Sequence, residues 1–338
     1  MNAPLSNGLF SLPRLSDKHG RCVTYLRLSI TDRCNLRCRY CMPENGVQFL
    51  PHARILSYEE LERLSNIFIG LGINKIRITG GEPLVRRDCL EFMEKLRLQH
   101  PKLDLRITTN GTELVQHLPR LRKINIGGIN LSLDSLDTHR FAHITRRDKL
   151  ATVLSGFHMA MELGIPLKLN TVVQQDTTDD ELVQMASLAK DNPITVRFIE
   201  LMPFTGALVP SQSQQSEPLN LRLLRLFPGL TEMEAKDIST AKIYTMNGYF
   251  GSLGIIEGES RKFCGSCNKV RITPTGLMKN CLYDDGILNL RDLLREGADN
   301  IEIGKQITAA VWNKQPDGHQ AAIQRPGKCE NSMATIGG

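Results

Sequence analysis

The sequence predicts an α/β fold: an incomplete (βα)6, TIM-like barrel followed by a smaller C-terminal domain. Three observations carry this. Six short β-branched runs alternate with amphipathic helical stretches through the first part of the 338-residue chain, the pattern of parallel strands joined by right-handed crossovers. Six units fall short of the eight that close a standard barrel. After residue 220 the pattern changes to short strands and turns around a group of cysteines.

The elements follow in order. Residues 1–20, "MNAPLSNGLFSLPRLSDKHG", have neither the basic start and apolar core of an export signal nor more than one arginine, and read as a flexible lead-in. Strands are expected at "VTYLRLSI" (23–30), "KIRIT" (75–79), "LDLRIT" (103–108), "INLSL" (129–133), "LKLNTVV" (167–173) and "TVRFIEL" (195–201). Ser57 and Glu60 form a capping box before "ELERLSNIFIGLG". Residues 150–163 and 178–190 read as helices, the first stopped by Gly164. Residues 206–220, rich in Ser, Gln and Pro, read as a loop or linker. The expected domains are therefore 21–220 and 221–338.

Composition narrows the function classes. Hydrophobic residues make up 41% and charged residues 23%, and no apolar run is long enough for a membrane span. A net charge of +6 suits an anionic substrate. Aromatics at 5%, with no basic stripe interleaved, speak against a nucleic-acid platform. Without an export signal, the expected compartment is the cytoplasm, and the nine cysteines point to metal or cluster binding, not disulfides.

Polar punctuation follows the strands: "TDRCNLRCRYC" after the first, "TGGEP" after the second, "TNG", "DS" and "MP" after the third, fourth and sixth. In parallel α/β folds the carboxyl ends of strands build the active site. Cys34, Cys38 and Cys41 supply three thiolates. A structural zinc site needs a fourth ligand, for which His52 is the only local candidate. A 4Fe-4S cluster held by three cysteines leaves one iron open to a small molecule. Arg33, Arg37 and Arg39 help offset the cluster's negative charge. Cys264, Cys267 and Cys281 form a second group of three, with Cys329 the only late candidate for a fourth. A zinc knuckle is the alternative there, and a second open cluster is the sharper reading. Gly80-Gly81-Glu82-Pro83 offers close-approach glycines and a carboxylate or carbonyls for an ammonium group. Arg27 and Arg77 interrupt apolar strands, as they would to line a polar cavity.

The cysteine spacing, with Tyr40 before the last cysteine and "GGEP" after the second strand, resembles the radical S-adenosylmethionine (SAM) enzymes. Together, "LRLSITDRCNLRCRYCMP", "KIRITGGEPLVRRD", "TTNG", "LSLDSLD", "RFIELMPF", "FCGSCNKVRIT" and the terminal "GG" resemble the GTP 3′,8-cyclase family of molybdenum cofactor biosynthesis, from about residue 21 to the end. The resemblance implies a lyase with two 4Fe-4S clusters and SAM. One electron cleaves SAM to a 5′-deoxyadenosyl radical, hydrogen leaves ribose C3′ of GTP, and C3′ joins guanine C8. It implies metal ligation by Cys34, Cys38, Cys41, Cys264, Cys267 and Cys281. Tyr40, Gly81, Glu82, Ser132, Arg197 and Met202 would bind SAM; Arg197 can instead pair with Glu200. Arg27, Arg77, Thr108, Lys168, Lys269, Val270 and Arg271 would bind GTP. Arg271, Gly337 and Gly338 would serve catalysis. Lys269 stands where the family usually has arginine, and Arg146 where it has glycine. Implied partners are GTP, an electron donor such as flavodoxin or ferredoxin, and a downstream cyclic pyranopterin monophosphate synthase; no nucleic acid or membrane is expected, and a homodimer is left open. A radical SAM enzyme acting on a peptide or another nucleotide, and a cluster-binding electron carrier or zinc module, are the rival readings.

Overall fold

The computed structural model describes residues 14–202, 217–234, 240–258 and 262–323. Two compact units divide the chain: Met1–Cys34, Gln48–Ile107 and Cys264–Gly338 form one, and Asn35–Val47 and Thr108–Phe263 the other.

In the first unit, β1 (Tyr25–Ser29), β2 (Lys75–Thr79) and β3 (Asp104–Thr109) run parallel in that order. A strand from the C-terminal third, β10 (Lys269–Ile272), continues the parallel run on the free side of β1. β11 (Leu277–Lys279) and β12 (Leu288–Asn289) follow it antiparallel. One sheet face is wholly apolar: Leu26, Leu28, Ile76, Ile78, Leu105, Ile107, Val270 and Ile272 are all sealed from solvent. The helix α1 (Tyr58–Gly70) contributes Leu61, Leu64, Ile67 and Phe68 to this core, and α9 (Asn300–Trp312) packs on α1 and contributes Ile303, Ile307 and Val311. Each such side chain contributes about 1.5–3 kcal/mol. The α1 capping box forms as expected: Ser57 accepts from Glu60 N and Glu60 accepts from Ser57 N. Of the expected lead-in, residues 14–20 are described; Leu15 is buried, and Ser16 bridges Cys22.

In the second unit the strand order is β4 (Gly128–Ser132), β5 (Leu167–Val173), β6 (Thr195–Glu200), β9 (Ser252–Ile256), β8 (Lys242–Thr245), β7 (Thr231–Glu232). The first four are parallel, the last two antiparallel. α3 (Leu114–Lys123) and α5 (Leu150–Glu162) approach closely at Gly156, where an added Cβ would sit 3.1 Å from Leu114 Cβ. α6 (Asp179–Asp191) starts on a second capping box, Thr178 with Glu181. The α/β class with parallel strands is the one the sequence predicts. The expected linker lies largely outside the described residues, and its end, from Leu219, begins α7 (Leu219–Leu226). No helix among the described residues is long and apolar enough to cross a membrane.

Candidate active site

Strand register organises the polar face of the first unit. Arg271 lies beside Arg27, Arg27 beside Arg77, and Arg77 beside Arg106, on β10, β1, β2 and β3. One step earlier, Lys269, Tyr25, Lys75 and Asp104 form a second row. Side chains alternate along a strand, so both rows share the face opposite the apolar core. Four guanidinium groups in adjacent positions repel one another. Arg77, 4% exposed, donates from Nε to the Tyr25 hydroxyl at 2.6 Å and from Nη1 to the Ile107 carbonyl at 2.9 Å. Arg106 Nε donates to Asp104 Oδ1 at 2.8 Å, and Lys75 Nζ lies 3.2 Å from Asp104 Oδ2. Burial pulls the Lys269 and Arg271 cations below their ordinary range. Thr108 Oγ1, farther along β3, is buried without a hydrogen-bond partner among the described residues.

The second cysteine group adjoins this face. Burial alone would raise the Cys267 thiol, but Lys314, then Lys269, the Lys269 backbone N–H and Arg271 hold it below the usual range. Burial pushes Cys264 and Cys281 up, the first further raised by Cys281 and Cys267, the second by Asp284 and Cys267. Lys314, 3% exposed, donates to the Lys269 carbonyl at 2.9 Å and to the Asn280 carbonyl. Arg21 braces the same segment: it pairs with Asp17 at 2.5 Å and donates to the carbonyls of Cys264 at 2.8 Å and Gln315 at 2.6 Å. Among the described residues no three His, Cys, Asp or Glu side chains are drawn together closely enough to hold a metal ion. The donor chemistry nonetheless suits a thiolate-bound cluster: three thiols, with buried cations to balance their negative charge.

The turn after β2 packs backbone against backbone. Gly81 N donates to the Thr31 carbonyl and Glu82 N to the Arg33 carbonyl, both at 2.8 Å. An added Cβ on Gly81 would lie 2.4 Å from the Arg33 carbonyl oxygen. The glycines thus dock the turn on the residues leading into Cys34. Glu82 is fully buried, and its carboxylate caps Leu84 N at 3.0 Å.

Cys34 closes one segment of the first unit; Cys38 and Cys41 belong to the second. There, Cys41 N and Met42 N both donate to the Cys38 carbonyl at 2.9 Å. Tyr40 donates to Asp134 Oδ2 at 2.8 Å. Asn35 and Asn110 of the "TNG" loop join through an amide hydrogen bond of 2.9 Å. Ser132, Asn170, Arg197 and Gly254 occupy one row across β4, β5, β6 and β9. Lys168 lies two residues before Asn170, on the same face. Gly254 makes room for Arg197, whose Cγ would be 2.8 Å from an added Cβ; Gly258 does the same for Met202 at 2.7 Å. Asn170 Oδ1 is buried without a hydrogen-bond partner among the described residues, as befits a site that takes a polar ligand. Gly337, Gly338 and Cys329 lie outside the described residues.

Residues 28–189 match the radical SAM superfamily, and residues 194–320 match Molybdenum Cofactor Synthesis C. The chain is 40% identical over 327 residues to the mitochondrial GTP 3′,8-cyclase of Arabidopsis thaliana, covering 96% of this chain and 83% of that one. It is 39% identical to GTP 3′,8-cyclase 2 of Pseudomonas aeruginosa, covering 96% and 99%. The chain belongs to the GTP 3′,8-cyclase family of radical SAM enzymes. Human molybdenum cofactor biosynthesis protein 1 is 42% identical over 303 residues, of which this chain spans about half (48%). Crystal structures of Streptococcus suis SuiB share the fold, with a TM-score of 0.61 at 16% identity over 91% of this chain and 70% of that one.

Arg146, where the resemblance implies glycine, has a backbone geometry that bears on that expectation. Its φ is +54°, the left-handed region that favours glycine. The arginine adopts it and uses its Nη1 to donate to the carbonyls of Arg37 at 2.9 Å and Met42 at 3.1 Å, one on each side of Cys38 and Cys41. Tyr25, Asn170 and Lys314 are the residues that reading the sequence missed; Asp134 stood in the "DS" after the fourth strand but was given no role of its own. Asn170 had a signal, a polar residue amid "LKLNTVV"; Lys314 had none that separates it from surface charge.

Proposed function

We propose that this cyclase converts GTP to (8S)-3′,8-cyclo-7,8-dihydroguanosine 5′-triphosphate, the first step of molybdenum cofactor biosynthesis. The observation that supports it most is the row Arg271, Arg27, Arg77 with Lys269 beside it, next to a cysteine triad. Guanidinium groups match phosphate oxygens in pairs, and a polyphosphate relieves the repulsion the row carries.

Two clusters are proposed, one on Cys34, Cys38 and Cys41, and one on Cys264, Cys267 and Cys281. When bound, the first supplies the electron that cleaves SAM. The protein's own residues bind and orient. Ser132, Asn170 and Arg197 present hydroxyl, amide and guanidinium groups to SAM from one row, with Met202 beyond β6, Tyr40 in the cysteine loop, and Gly81 and Glu82 shaping the turn after β2. Arg27, Arg77, Lys269 and Arg271 would hold GTP, with Thr108 and Lys168 as further contacts; Val270, whose side chain is sealed in the opposite, apolar face, could offer only its backbone. Gly337 and Gly338 are proposed to serve catalysis. Flavodoxin or ferredoxin as electron donor, a cyclic pyranopterin monophosphate synthase downstream, and a cytoplasmic setting complete the proposal.

The test is anaerobic reconstitution followed by incubation with SAM, a reductant and GTP. About eight irons per chain, 5′-deoxyadenosine and a cyclised nucleotide are expected. 5′-Deoxyadenosine formed without any change in GTP would overturn the substrate, and zinc in place of iron would overturn both clusters.

A further inference from the structure

The polar face of the first unit is unevenly balanced. The four strands "YLRLS", "KIRIT", "DLRITT" and "KVRI" contain one carboxylate, Asp104. It pairs with the outer cations, Lys75 at 3.2 Å and Arg106 at 2.8 Å. The inner cations, Lys269, Arg271, Arg27 and Arg77, cluster about Tyr25. Its ring lies 5.6 Å from both the Lys269 and Lys75 ammonium groups, and its hydroxyl oxygen accepts from Arg77 Nε at 2.6 Å. On these four strands Tyr25 is the only group besides Asp104 that can carry negative charge.

We propose that Tyr25 is the resident counter-anion of this face: its phenolate oxygen partners the inner cations while the face is empty, and takes one proton from solvent when a polyphosphate becomes their partner. The proposal rests on the reading that the GTP triphosphate binds here. No bond to substrate forms; one O–H bond forms on the phenol.

The electrostatics agree with the geometry. Burial alone would raise the Tyr25 hydroxyl, but Arg77, Arg27, the Arg77 hydrogen bond and Lys269 bring it down to about 7. Arg271 on β10, Lys75 on β2 and Arg106 with Asp104 on β3 complete the charged groups on the strands around it; beyond those strands Cys267 acts on Lys269 and Arg271, and Cys281 and Asp284 act on Arg271. An incoming anion cancels the cations' pull and adds repulsion of its own, so the bound state favours the protonated phenol. Above pH 7 binding must therefore take up a proton, and affinity falls by up to about tenfold per pH unit.

The experiment uses reconstituted enzyme without SAM or reductant, so that GTP binds and does not react. Calorimetry in buffers of different ionisation enthalpy counts protons, for the parent and Y25F. The titration of the nucleotide is common to both and cancels in the difference. Above neutral pH the parent should take up close to one more proton per GTP, and its Kd should rise more steeply with pH. Equal proton uptake with parallel Kd curves would overturn the proposal. In case Y25F folds poorly, the ultraviolet phenolate difference spectrum of the parent is followed at about pH 8 as inorganic triphosphate is added. A phenolate signal that vanishes supports the proposal, and its absence from the outset, or persistence in the complex, overturns it. Triphosphate binding without GTP binding would sink the nucleotide reading and leave Tyr25's role standing; failure of both to bind would end both.

Discussion

Tyr40 donates its hydroxyl to Asp134 Oδ2 at 2.8 Å, joining residues 94 positions apart. The bond anchors the loop between Cys38 and Cys41 to the end of β4, while Val172 N donates to Asp134 Oδ1 at 2.8 Å. Burial pushes the Asp134 carboxyl up to about 6, against the opposing pull of the Val172 N–H, Tyr40 and Arg140. A carboxyl raised on folding favours the native state while protonated. Its contribution is full below the unfolded value near 3.8 and is lost as pH rises to about 6. Relative to D134N, whose amide does not titrate, the parent's unfolding free energy should fall across that window and level off above it. Denaturant unfolding of the metal-free protein at successive pH values checks this. A constant difference would show that Asp134 does not titrate there.

Arg146 makes a second clear case. Its left-handed backbone costs roughly 1–2 kcal/mol in a non-glycine residue, offset by its two carbonyl contacts around the cysteine loop. R146A keeps the strain and loses the contacts; R146G loses both. R146A should therefore be the less stable of the two by about 1 kcal/mol, and should retain less iron at the first cysteine group. Thermal unfolding and iron analysis decide. Equal behaviour would show that the backbone geometry sets no penalty.

These details mark where sequence reading stops. The strands at 75–79 and 167–173 were legible to the residue, because β-branched runs bounded by turns carry their own signal. α1 announced itself through its capping box, whereas the Thr178–Glu181 box of α6 went unread although the helix itself was expected over 178–190. α2 (Cys89–Gln99) and α3 did not: neither has a side-chain cap, and α3 contains Pro119. α9 carried a readable cap, Asp299 on Glu302 N, which was overlooked. β9 and β10 were not foreseen as parallel neighbours of β6 and β1, because strand pairing is a tertiary property. For the same reason Arg27 and Arg77 were legible as odd residues in apolar strands, but the row they form with Arg271 and Arg106, and Tyr25's place in it, were not.

The row yields a graded prediction. Arg27 and Arg77 lie in the inner cluster, whereas Arg106 is already paired with Asp104 at 2.8 Å. A charge-assisted contact contributes about 1.5–3 kcal/mol. R27A and R77A should each weaken GTP binding by roughly tenfold or more, with iron content unchanged. R106A should weaken it by less than about threefold. If R106A were as damaging as R77A, GTP would be engaging the whole row and not its inner part.

The last prediction concerns Lys314. A buried cation is costly unless anions balance it, and the groups that feel Lys314 are Cys267, Cys281 and Asp284. Burial raises the Asp284 carboxyl, so the thiolates are the natural counter-charge, and they are fully ionised only when ligating metal. Lys314 also fixes the carbonyls of Lys269 and Asn280, residues that lie between Cys267 and Cys281. K314M removes both charge and contacts while keeping the stem's length. It should lower iron retention at the second triad and leave the first at parental occupancy. SAM cleavage should then persist while GTP cyclisation falls, the same uncoupling expected of C267A; C34A, C38A and C41A should each abolish SAM cleavage itself. Mössbauer quantification of iron, alongside 5′-deoxyadenosine and nucleotide product, separates the cases. A K314M enzyme with parental iron and parental cyclisation would show that Lys314 only fills space, and loss of SAM cleavage in C267A would show that the two triads do not divide the work.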